Sequence, residues 1–581
     1  MSVFLSNFLP IVWVVVFFGG SILVHELGHY VAAKRMGLVV PKFSIGFGPK
    51  LFGFRAKGTE FAVSLLPIGG YAAIPQLADL SSIEGSFDLP KNLQTAPCHA
   101  KVIVSFAGPL ANLLLAVCVA TIVFFTGLPV PEETLHTTIG YVPRSLELHD
   151  GTEIPSPAHM AGLLPGDRIL SVDGNVVKNF DDIAQFIVLG TEKDKDGIKA
   201  STIEIDRGGN RMKVAVNPAV VSANGNKGDG FRTIGIYPKQ TLVVDGFHRS
   251  AAAKDSGLLR GDLVISANGT PAYNVLALHE VTEKSSNVSL EVERASGRKV
   301  FDIPVTVLAI RKPFVSVVLF KKRKILDIIP SDCLIDGSEQ KFSNFQIFCN
   351  DQRLLRKNGA SDGNSVISVN GIAATSPEGI YEATAEAPEI SLQLATKAGT
   401  TTMLLDDISS VNFQGTEFAP FLGIKFAHRV AVAHPSPWRQ IHGTIVVTIK
   451  TLRSLFSRSS DVHPRHLMGP AGLIKTFHSL AKNSFPRLLW FVLLVNVNLA
   501  ILNLLPFPVL DGGVIAISLA GKFFGCKRLE KIFSKTQAVF FSLLMCLIAY
   551  VTFFDFRRIF SENHSEFELR RQLRLLVNHD D

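Results

Sequence analysis

The sequence predicts a multi-domain membrane protein with an α-helical transmembrane core of about four helices, a membrane-associated β-hairpin, and α+β or β-rich domains outside the cytoplasm. Of its 581 residues, 47% are hydrophobic and 19% are charged, and a chain of this length forms several domains. The apolar residues are concentrated in four nearly charge-free stretches, each close to the ~20 residues needed to cross a bilayer. A polar, glycine-rich region separates the second stretch from the third. The four stretches are residues 9–33, 102–126, 488–510 and 536–554.

The basic residues predict how the four stretches are oriented. No Lys or Arg precedes Lys34, so the first stretch lacks the basic start of a signal peptide and ends instead in Lys34 and Arg35. The loop 34–101 and the loop after residue 511 are both rich in Lys and Arg, so both are expected on the cytoplasmic side. This bias accounts for the net charge of +8. No basic patch with interleaved aromatic residues indicates nucleic-acid binding.

His25 and His29 stand four residues apart in the first apolar stretch, with Glu26 beside them. On a helix the two imidazoles project from one face, and this H-E-x-x-H pattern holds zinc while the glutamate acts as a general base. A chance match is the alternative, but the expected number of such matches in this composition is on the order of a few hundredths. Ionisable groups in a spanning helix are costly and mark function. The sequence therefore predicts a zinc site.

A third zinc ligand is expected far along the chain, because a catalytic zinc has three protein ligands and an open position. The third apolar stretch ends in "NVNLAILNLLPFPVLDGG", residues 496–513, in which Asp511 is the acidic residue. Pro506 and Pro508 break the helix and leave backbone N–H and C=O groups without helical partners. These groups must find hydrogen bonds in a cavity, because lipid offers none. The alternative is an ordinary helix end at the cytoplasmic surface. Because the H-E-x-x-H motif is also present, we favour the interpretation that Asp511 is a zinc ligand.

These motifs resemble those of the site-2 protease (M50-type) family of intramembrane zinc metalloproteases, and within it the bacterial RseP-type branch. The resemblance covers nearly the full length and depends on HELGH (25–29) and N-x-x-P-x-P-x-L-D-G-G (503–513). "AGPLAN" (107–112) and "MGPAG" (468–472) belong to the same pattern. RseP-type chains often have His after the Gly-Gly pair; Val514 stands here and is not expected to be a ligand.

The resemblance implies the roles of the site residues. Glu26 would take a proton from a zinc-activated water and return it to the leaving amine. The cofactor would be Zn²⁺, in a bacterial inner membrane with the site towards the cytoplasmic side. The three implied zinc ligands are His25, His29 and Asp511.

Substrate contacts are expected on the third crossing and on a hairpin. Asn503, helped by Asn498, would hydrogen-bond the substrate backbone beside Pro506 and Pro508; hydrogen bonds between helices are the alternative for both asparagines. Residues 42–71 contain two alternating segments around a Gly/Lys-rich turn, which predicts a hairpin and resembles the membrane-re-entrant hairpin of the family. Its exposed edge could pair with an unwound substrate strand.

The middle region contains an internal repeat. "AGLLPGDRILSVDG" (161–174) recurs as "SGLLRGDLVISANG" (256–269), and both resemble bacterial PDZ domains, which we expect at 138–220 and 240–310. PDZ domains bind C-termini or strands, so these could recruit substrates. They could equally exclude bulky ectodomains, and their tethering to both membrane halves favours such a filter.

Three further segments complete the domain organisation. "GNSVISVNG" (363–371) echoes the repeat, so 311–430 is either a third, degenerate PDZ-like unit or an unrelated β-rich insertion. Residues 436–456 alternate bulky apolar and basic residues, which favours an interfacial helix over a fifth crossing. Residues 556–581 form a charged tail.

The predicted function is an intramembrane zinc endopeptidase with an N-terminal catalytic membrane half at 1–130 and a C-terminal half at 483–555. Its partners would be the lipid bilayer and transmembrane substrates, such as an anti-sigma factor or signal-peptide remnants. The alternative is a non-catalytic PDZ membrane scaffold with a structural metal site, but such a site has no use for Glu26. A sporulation-type branch of the family is disfavoured by the PDZ-like units.

Overall fold

A computed structural model describes most of the chain, and it divides into two compact units. The first unit comprises Met1–Pro238 with Arg429–Ile559, and the second comprises Lys239–His428. Most of the predicted charged tail, from residue 560 onward, lies outside the described residues. The described residues are 2–77, 96–148, 152–193, 199–221, 230–248, 252–319, 324–336, 339–524 and 536–559.

Four helices among the described residues are long and apolar enough to cross a membrane, as predicted. They carry large exposed apolar side chains, such as Leu114, Phe125 and Val539, which suit contact with lipid. The third helix ends earlier than its apolar stretch, because Pro506 and Pro508 follow. The four helices, called the first to fourth membrane helix, are Pro10–Arg35 (continuing a helix from Ser2), Cys98–Thr126, Phe485–Asn503 and Thr536–Ile559.

The second membrane helix packs against both the first and the third. A Cβ atom on Gly28 would lie 2.4 Å from the backbone oxygen of Ala107, so the first and second helices approach each other at backbone distance. Small residues permit such close packing in membranes, where apolar burial from water does not drive association. Asn496 on the third helix donates to the Ser21 hydroxyl at 2.9 Å and fastens it to the first.

Three further helices of the first unit are Pro437–Phe456, Pro470–Asn483 and Asp511–Phe524. The first of these, called the bracing helix, covers the segment expected at the interface and is not among the four spans. Gln440 on the bracing helix donates to the carbonyl of Ala120 at 3.0 Å, so the bracing helix packs against the second membrane helix.

The MGPAG motif is a docking point for the fourth membrane helix. The buried carboxylate of Asp555 accepts hydrogen bonds from the backbone N–H groups of Gly469 (3.2 Å) and Gly472 (2.8 Å) at the start of Pro470–Asn483. A Cβ on either glycine would lie within 2.9 Å of that carboxylate. Arg558 donates to the same group at 2.7 Å, so the negative charge is paired.

The hairpin comprises strands Lys42–Ala56 and Thr59–Ala72, joined at Lys57 and Gly58, both with positive φ. The two strands fold into more than a simple pair. Residues 42–45 pair with 60–63 on one side and, for 43–45, with 70–72 on the other. The segment 70–72 therefore lies beside 42–45 and has its other side towards the first membrane helix, where Ala72 donates to Glu26.

The polar middle region contains one arrangement three times: strand, strand, helix, strand, strand. In each copy the third strand pairs with the first, the fourth lies outside the third, and the second lies outside the first. The first repeat comprises Arg168–Val172, Asn175–Val176, Phe180–Val188, Ser201–Arg207 and Asn210–Val216. The second comprises Leu263–Ala267, Thr270–Pro271, Val275–Glu283, Asn287–Arg294 and Gly297–Pro304. The third comprises Ser365–Val369, Ile372–Ala373, Pro377–Thr384, Ile390–Thr396 and Gly399–Leu405.

Matching local signals explain why the three repeats fold alike. Each first strand ends in an Asp-Gly or Asn-Gly pair with both φ angles positive, the geometry that a two-residue hairpin turn requires. Each helix begins after an N-cap residue whose side chain accepts from the first turn. The turn pairs are Asp173–Gly174, Asn268–Gly269 and Asn370–Gly371, and the N-caps are Asn179, Asn274 and Ser376.

Further strands and short helices complete the description of the two compact units. The third repeat is part of an eight-stranded sheet that adds Glu339–Cys349, Lys324–Asp336, Phe314–Leu319 and Ile408–Gln414 in that spatial order within the described region. The other strands of the second unit are Val244–Phe247 with Ile424–Phe426, and Thr306–Arg311 with Glu417–Phe421. Those of the first unit are Leu128–Pro131 with Val430–Ala433, Ile139–Tyr141 with Tyr237–Pro238, Ser145–Glu147 with Glu153–Pro155, and Ala219–Val221 with Phe231–Thr233. The remaining short helices are Glu132–Leu135, Pro157–Met160, Ala252–Asp255, Gln352–Lys357 and Pro464–His466.

An ion pair with a buried carboxylate is shared by two repeats and replaced in the third. Asp167 pairs with Arg207 (2.7 Å) and Asp262 with Arg294 (2.6 Å), at matching positions. The third repeat has Asn364 and Thr396 at these two positions. The Asn364 side chain accepts from the backbone N–H of Ser361 at 2.6 Å, just as Asp167 accepts from Leu164 at 2.9 Å. Both members of the ion pair are therefore exchanged for neutral residues together, as expected where a lone buried charge is costly.

We expect Asp262→Asn to destabilise the second repeat, because it removes the carboxylate with which Arg294 pairs. Adding Arg294→Thr should recover most of the loss by reproducing the neutral pair of the third repeat. Hydrogen exchange of strand Asn287–Arg294 in the full chain measures both effects. If the double variant exchanges as fast as the single one, the pair is not the cause.

Candidate metal centre

His25 and His29 project from one face of the first membrane helix towards Asp511. Their Nε2 atoms lie 3.1 Å apart, and Oδ2 of Asp511 lies 3.3 Å from one and 3.4 Å from the other. Zinc bonds of about 2.0–2.2 Å in a tetrahedron separate neighbouring donor atoms by roughly 3.3–3.6 Å. Two nitrogens and one carboxylate oxygen are also a common donor set for catalytic zinc. These three side chains could therefore hold one zinc ion with a fourth position open.

Asp511 reaches the centre because the third membrane helix stops. That helix ends at Asn503, and the next helix begins with Asp511. A Cβ on Gly512 would lie 2.2 Å from the oxygen of Leu504, and one on Gly513 would lie 2.0 Å from the oxygen of Phe507. The two glycines thus let the turn fold directly onto the start of the following helix.

The two prolines of this motif lie in the turn between the third membrane helix and the helix that begins at Asp511. Pro506 and Pro508 lie between the helices and do not line the cavity beside the metal ligands. Since proline lacks a backbone N–H, each interrupts the helix and shapes the turn that carries Asp511. This geometry explains the helix break, while the contact of both prolines with substrate stays a prediction.

Glu26 faces the hairpin. Its Oε2 accepts a hydrogen bond from the backbone N–H of Ala72 at 3.0 Å. A cavity of about 470 Å³ lies here, and its lining includes His25, Glu26, Gly70, Asn503 and Asp511. A Cβ on Gly70 would lie 3.5 Å from Cγ of Glu26 and 2.9 Å from the oxygen of Ser44, so the strand edge lies close against the carboxylate. The cavity thus joins the metal ligands, the acid and an extended backbone segment.

The two asparagines predicted to contact substrate, Asn503 and Asn498, have different surroundings in the structure. Nδ2 of Asn503 lies 3.3 Å from Nε2 of His25, at the cavity. Asn498 does not reach the cavity; its Oδ1 accepts from the Thr448 hydroxyl of the bracing helix at 2.5 Å. This bond between helices is the alternative that the sequence left open for Asn498.

The second membrane helix supplies three contacts whose roles were not predicted. Nδ1 of His29 donates to the carbonyl of Val104 at 2.8 Å, and Asn112 lies 3.2 Å from Nδ1 of His25. A Cβ on Gly108 would lie 2.3 Å from Nε2 of His29 and 2.9 Å from Cε1 of His25. The AGPLAN motif was the available signal, since it sets a glycine and an asparagine four residues apart in an apolar helix.

Comparison with known proteins now identifies the family. The model described as "Peptidase family M50" matches residues 13–547. The chain belongs to peptidase family M50. A Chlamydia trachomatis protein named "Putative zinc metalloprotease" is 24% identical over 93% of this chain and 98% of its own length. A Thermotoga maritima protein of that name is 24% identical over 94% of this chain and 99% of its own. "Metalloprotease MmpA" of Caulobacter vibrioides is 31% identical over 34% of this chain and 49% of its own.

These matches confirm the predicted family, the metalloprotease activity and Zn²⁺ as cofactor. The site of this M50 metalloprotease also suits a divalent cation by charge. Glu26 and Asp511 bring two carboxylates into an apolar setting, and a dication balances them when both imidazoles are neutral. The His29 side chain is buried, and those of His25 and Asp511 are 12% and 21% exposed.

We expect Gly108→Ala to reduce zinc binding by this M50 metalloprotease, because the added methyl would overlap both imidazoles. The expected loss in zinc affinity is at least roughly tenfold, comparable with substitutions of residues that orient metal-binding histidines. Zinc per chain in purified full-length protein measures it. Gly20→Ala on the first membrane helix is the matched control, because a Cβ there meets nothing within 4 Å. Equal zinc contents in the two variants would contradict the packing argument.

Proposed function

We propose that this M50 metalloprotease hydrolyses peptide bonds within or near the transmembrane segments of other membrane proteins, using Zn²⁺ held by His25, His29 and Asp511. The observation that carries the proposal is the distance of the candidate zinc-binding side chains from the end of the first membrane helix. His25 and His29 precede the helix end at Arg35 by ten and six residues, or about 9–15 Å at 1.5 Å per residue. A substrate must therefore enter the bilayer region to reach them.

Each side chain of the proposed site has a separate role in hydrolysis. A zinc ion bound here would supply Lewis acidity and a water of lowered pKa. Glu26 accepts the proton of the attacking water and passes it to the leaving amine. The hydrogen bond from Ala72 holds the Glu26 carboxylate in one orientation. Asn503, beside the metal-facing nitrogen of His25, donates from its amide to the substrate carbonyl.

The hairpin orders the substrate. A helical segment resists hydrolysis because its carbonyls are bonded within the helix, so it must be unwound near the scissile bond. Residues 70–72 are extended, line the cavity and contact Glu26. An unwound substrate segment lies beside this edge and gains backbone hydrogen bonds in exchange for those lost from its helix. Gly69 and Gly70 add no side chain that would hinder its approach.

We expect Glu26→Gln to retain zinc and to lose cleavage of a single-pass model substrate, by roughly 10²–10⁴-fold, because the amide cannot act as a general base. Cleavage is followed by gel shift of a doubly tagged substrate in membranes, and zinc is measured on the same preparation. Glu153→Gln is the control, since Glu153 is exposed and accepts a hydrogen bond from the Ser145 hydroxyl across a short hairpin.

The same experiment separates the enzyme from a scaffold with a structural metal. If wild type and Glu26→Gln process the substrate alike, the proteolytic role of this centre is wrong. A scaffold would retain zinc in both forms and cleave in neither. Trapped single-pass fragments in membranes that carry Glu26→Gln would identify the substrates, among which anti-sigma factors and signal-peptide remnants are our candidates.

The three repeats are proposed to be PDZ-like domains on the extracytoplasmic side of a bacterial inner membrane. Their common strand order and turn chemistry support one domain type, including the third. The basic loops after the first and third membrane helices support the orientation, since Lys and Arg favour the cytoplasmic side. We propose that the first repeat filters substrates by the size of their ectodomains.

The filter proposal is supported by a set of contacts, called the clamp, that holds the first repeat and the strand after it to the bracing helix and the loop that follows that helix. Arg232, buried, donates to Asp461 at 2.7 Å, and Lys199 pairs with the same carboxylate. Ser454 and Ser459 donate to the carbonyls of Leu189 (2.8 Å) and Thr191 (2.7 Å). The Lys450 ammonium lies 3.6 Å from the ring centroid of Phe186. A domain held this firmly suits a fixed barrier better than a mobile recruiter.

We expect Asp461→Ala to loosen the clamp and to raise cleavage of substrates with folded ectodomains several-fold, while substrates with short ectodomains are cleaved as before. Asp245→Ala, which breaks an exposed pair with Arg260, is the control. Burial raises the pKa of Asp461, but Lys199 and Arg232 outweigh it and hold that pKa below its usual range. The clamp is therefore complete at neutral pH and weakens only as pH falls through the lowered pKa. Unchanged size selectivity in Asp461→Ala would contradict the filter.

A further inference from the structure

Asn112 is a buried polar side chain to which the proposed function gives no role. It lies on the second membrane helix with no exposed surface. Its Nδ2 lies 3.2 Å from Nδ1 of His25. Its Oδ1 is equally buried and has no hydrogen-bond partner among the described residues. An unpaired amide oxygen in an apolar setting is costly, so this arrangement needs an explanation.

The tautomer of His25 supplies that explanation. Nε2 of His25 faces Nε2 of His29 and the carboxylate of Asp511, so it is the nitrogen available to a metal. A neutral imidazole that ligates through Nε2 carries its proton on Nδ1. That N–H requires an acceptor, which an amide nitrogen cannot be. The two ends of an amide have nearly the same shape, and hydrogen bonding decides which of them faces the imidazole.

We infer that Asn112 is a positioning residue whose Oδ1 accepts the Nδ1–H of His25 and so keeps Nε2 directed at the metal. This orientation pairs both the imidazole N–H and the amide oxygen. The inference rests on the proposed function of His25 as a zinc ligand. It adds that the second membrane helix fixes both histidines, since the carbonyl of Val104 accepts from Nδ1 of His29 at 2.8 Å.

The spacing along the second membrane helix indicates that the residues making these contacts act together on the two histidines. Val104, Gly108 and Asn112 follow one another at intervals of four residues and therefore lie on one face of the second membrane helix. The first offers an acceptor, the second leaves room for the imidazoles, and the third offers another acceptor. Acceptors behind metal-bound histidines fix ring orientation, and their loss typically weakens metal affinity about 10–100-fold.

A purely structural role is the competing explanation, and the chain contains a matched control. Asn496 is also fully buried in a membrane helix and also has an unpartnered Oδ1 within the described residues. Its amide donates to the Ser21 hydroxyl at 2.9 Å and to the carbonyl of Val492 at 2.8 Å, away from the metal ligands. If buried asparagines here only hold helices together, both should respond alike to substitution.

The test measures zinc affinity of the full-length chain, purified in detergent, by competition with a chromophoric chelator. We expect Asn112→Leu to weaken zinc binding about 10–100-fold. Asn112→Asp should stay within a few-fold of wild type, because a carboxylate oxygen still accepts from Nδ1–H. Asn496→Leu should leave zinc affinity unchanged even if it lowers thermal stability. His25→Ala, which removes a proposed zinc ligand, should lose zinc binding.

The outcomes separate the inference from the function on which it rests. If His25→Ala binds zinc as tightly as wild type, the proposed zinc ligation fails. If His25→Ala loses zinc while Asn112→Leu binds within twofold of wild type, the ligation stands and the inference about Asn112 is overturned. If Asn112→Leu does not reach the membrane, Asn112→Asp decides: a folded variant that has lost zinc affinity contradicts the role of an acceptor, and one that keeps it supports that role.

Discussion

The fold of the first unit depends on the cost of keeping two carboxylates and two imidazoles inside an apolar helix bundle. Glu26 and Asp511 lie among groups that offer little solvation, and unpaired charge there would destabilise the bundle by several kcal/mol. Each group accordingly has a defined partner. Ala72 bonds Glu26, the imidazoles face Asp511, and the carbonyl of Val104 bonds His29. A zinc ion held by His25, His29 and Asp511, as proposed, would complete this arrangement because its two positive charges match the two carboxylates.

Backbone proximity makes the arrangement possible. The first and second membrane helices meet at Gly28, where a Cβ would lie 2.4 Å from a carbonyl oxygen. Gly108 leaves the space that both imidazoles fill, and Gly512 and Gly513 let the broken third helix fold back on its own turn. A side chain at Gly108 would overlap both imidazoles, and side chains at the other three glycines would overlap neighbouring residues of the first unit. The glycines therefore determine the geometry as strongly as the ligands determine the chemistry.

The sequence predicted the parts of the site that depend on local pattern. Apolar length predicted the four membrane helices, and the i, i+4 spacing of His25 and His29 predicted that they share a face. It did not predict Asn112 or Gly108 as neighbours of these histidines, because that contact depends on how two separate helices pack. The same limit applies to Asn498, whose partner Thr448 lies on another helix fifty residues away. The hairpin was predicted, but the second pairing of residues 43–45 was not.

Asn498 connects the first repeat to the cavity. The clamp joins that repeat to the bracing helix and the loop that follows it, through Lys450, Ser454 and Asp461. On the same bracing helix, Thr448 donates to Asn498, five residues before Asn503 on the third membrane helix. Asn503 in turn lies 3.3 Å from His25. Polar contacts within an apolar bundle have few competing partners, so they persist. The first repeat and the cavity are thus linked through the bracing helix and the third membrane helix.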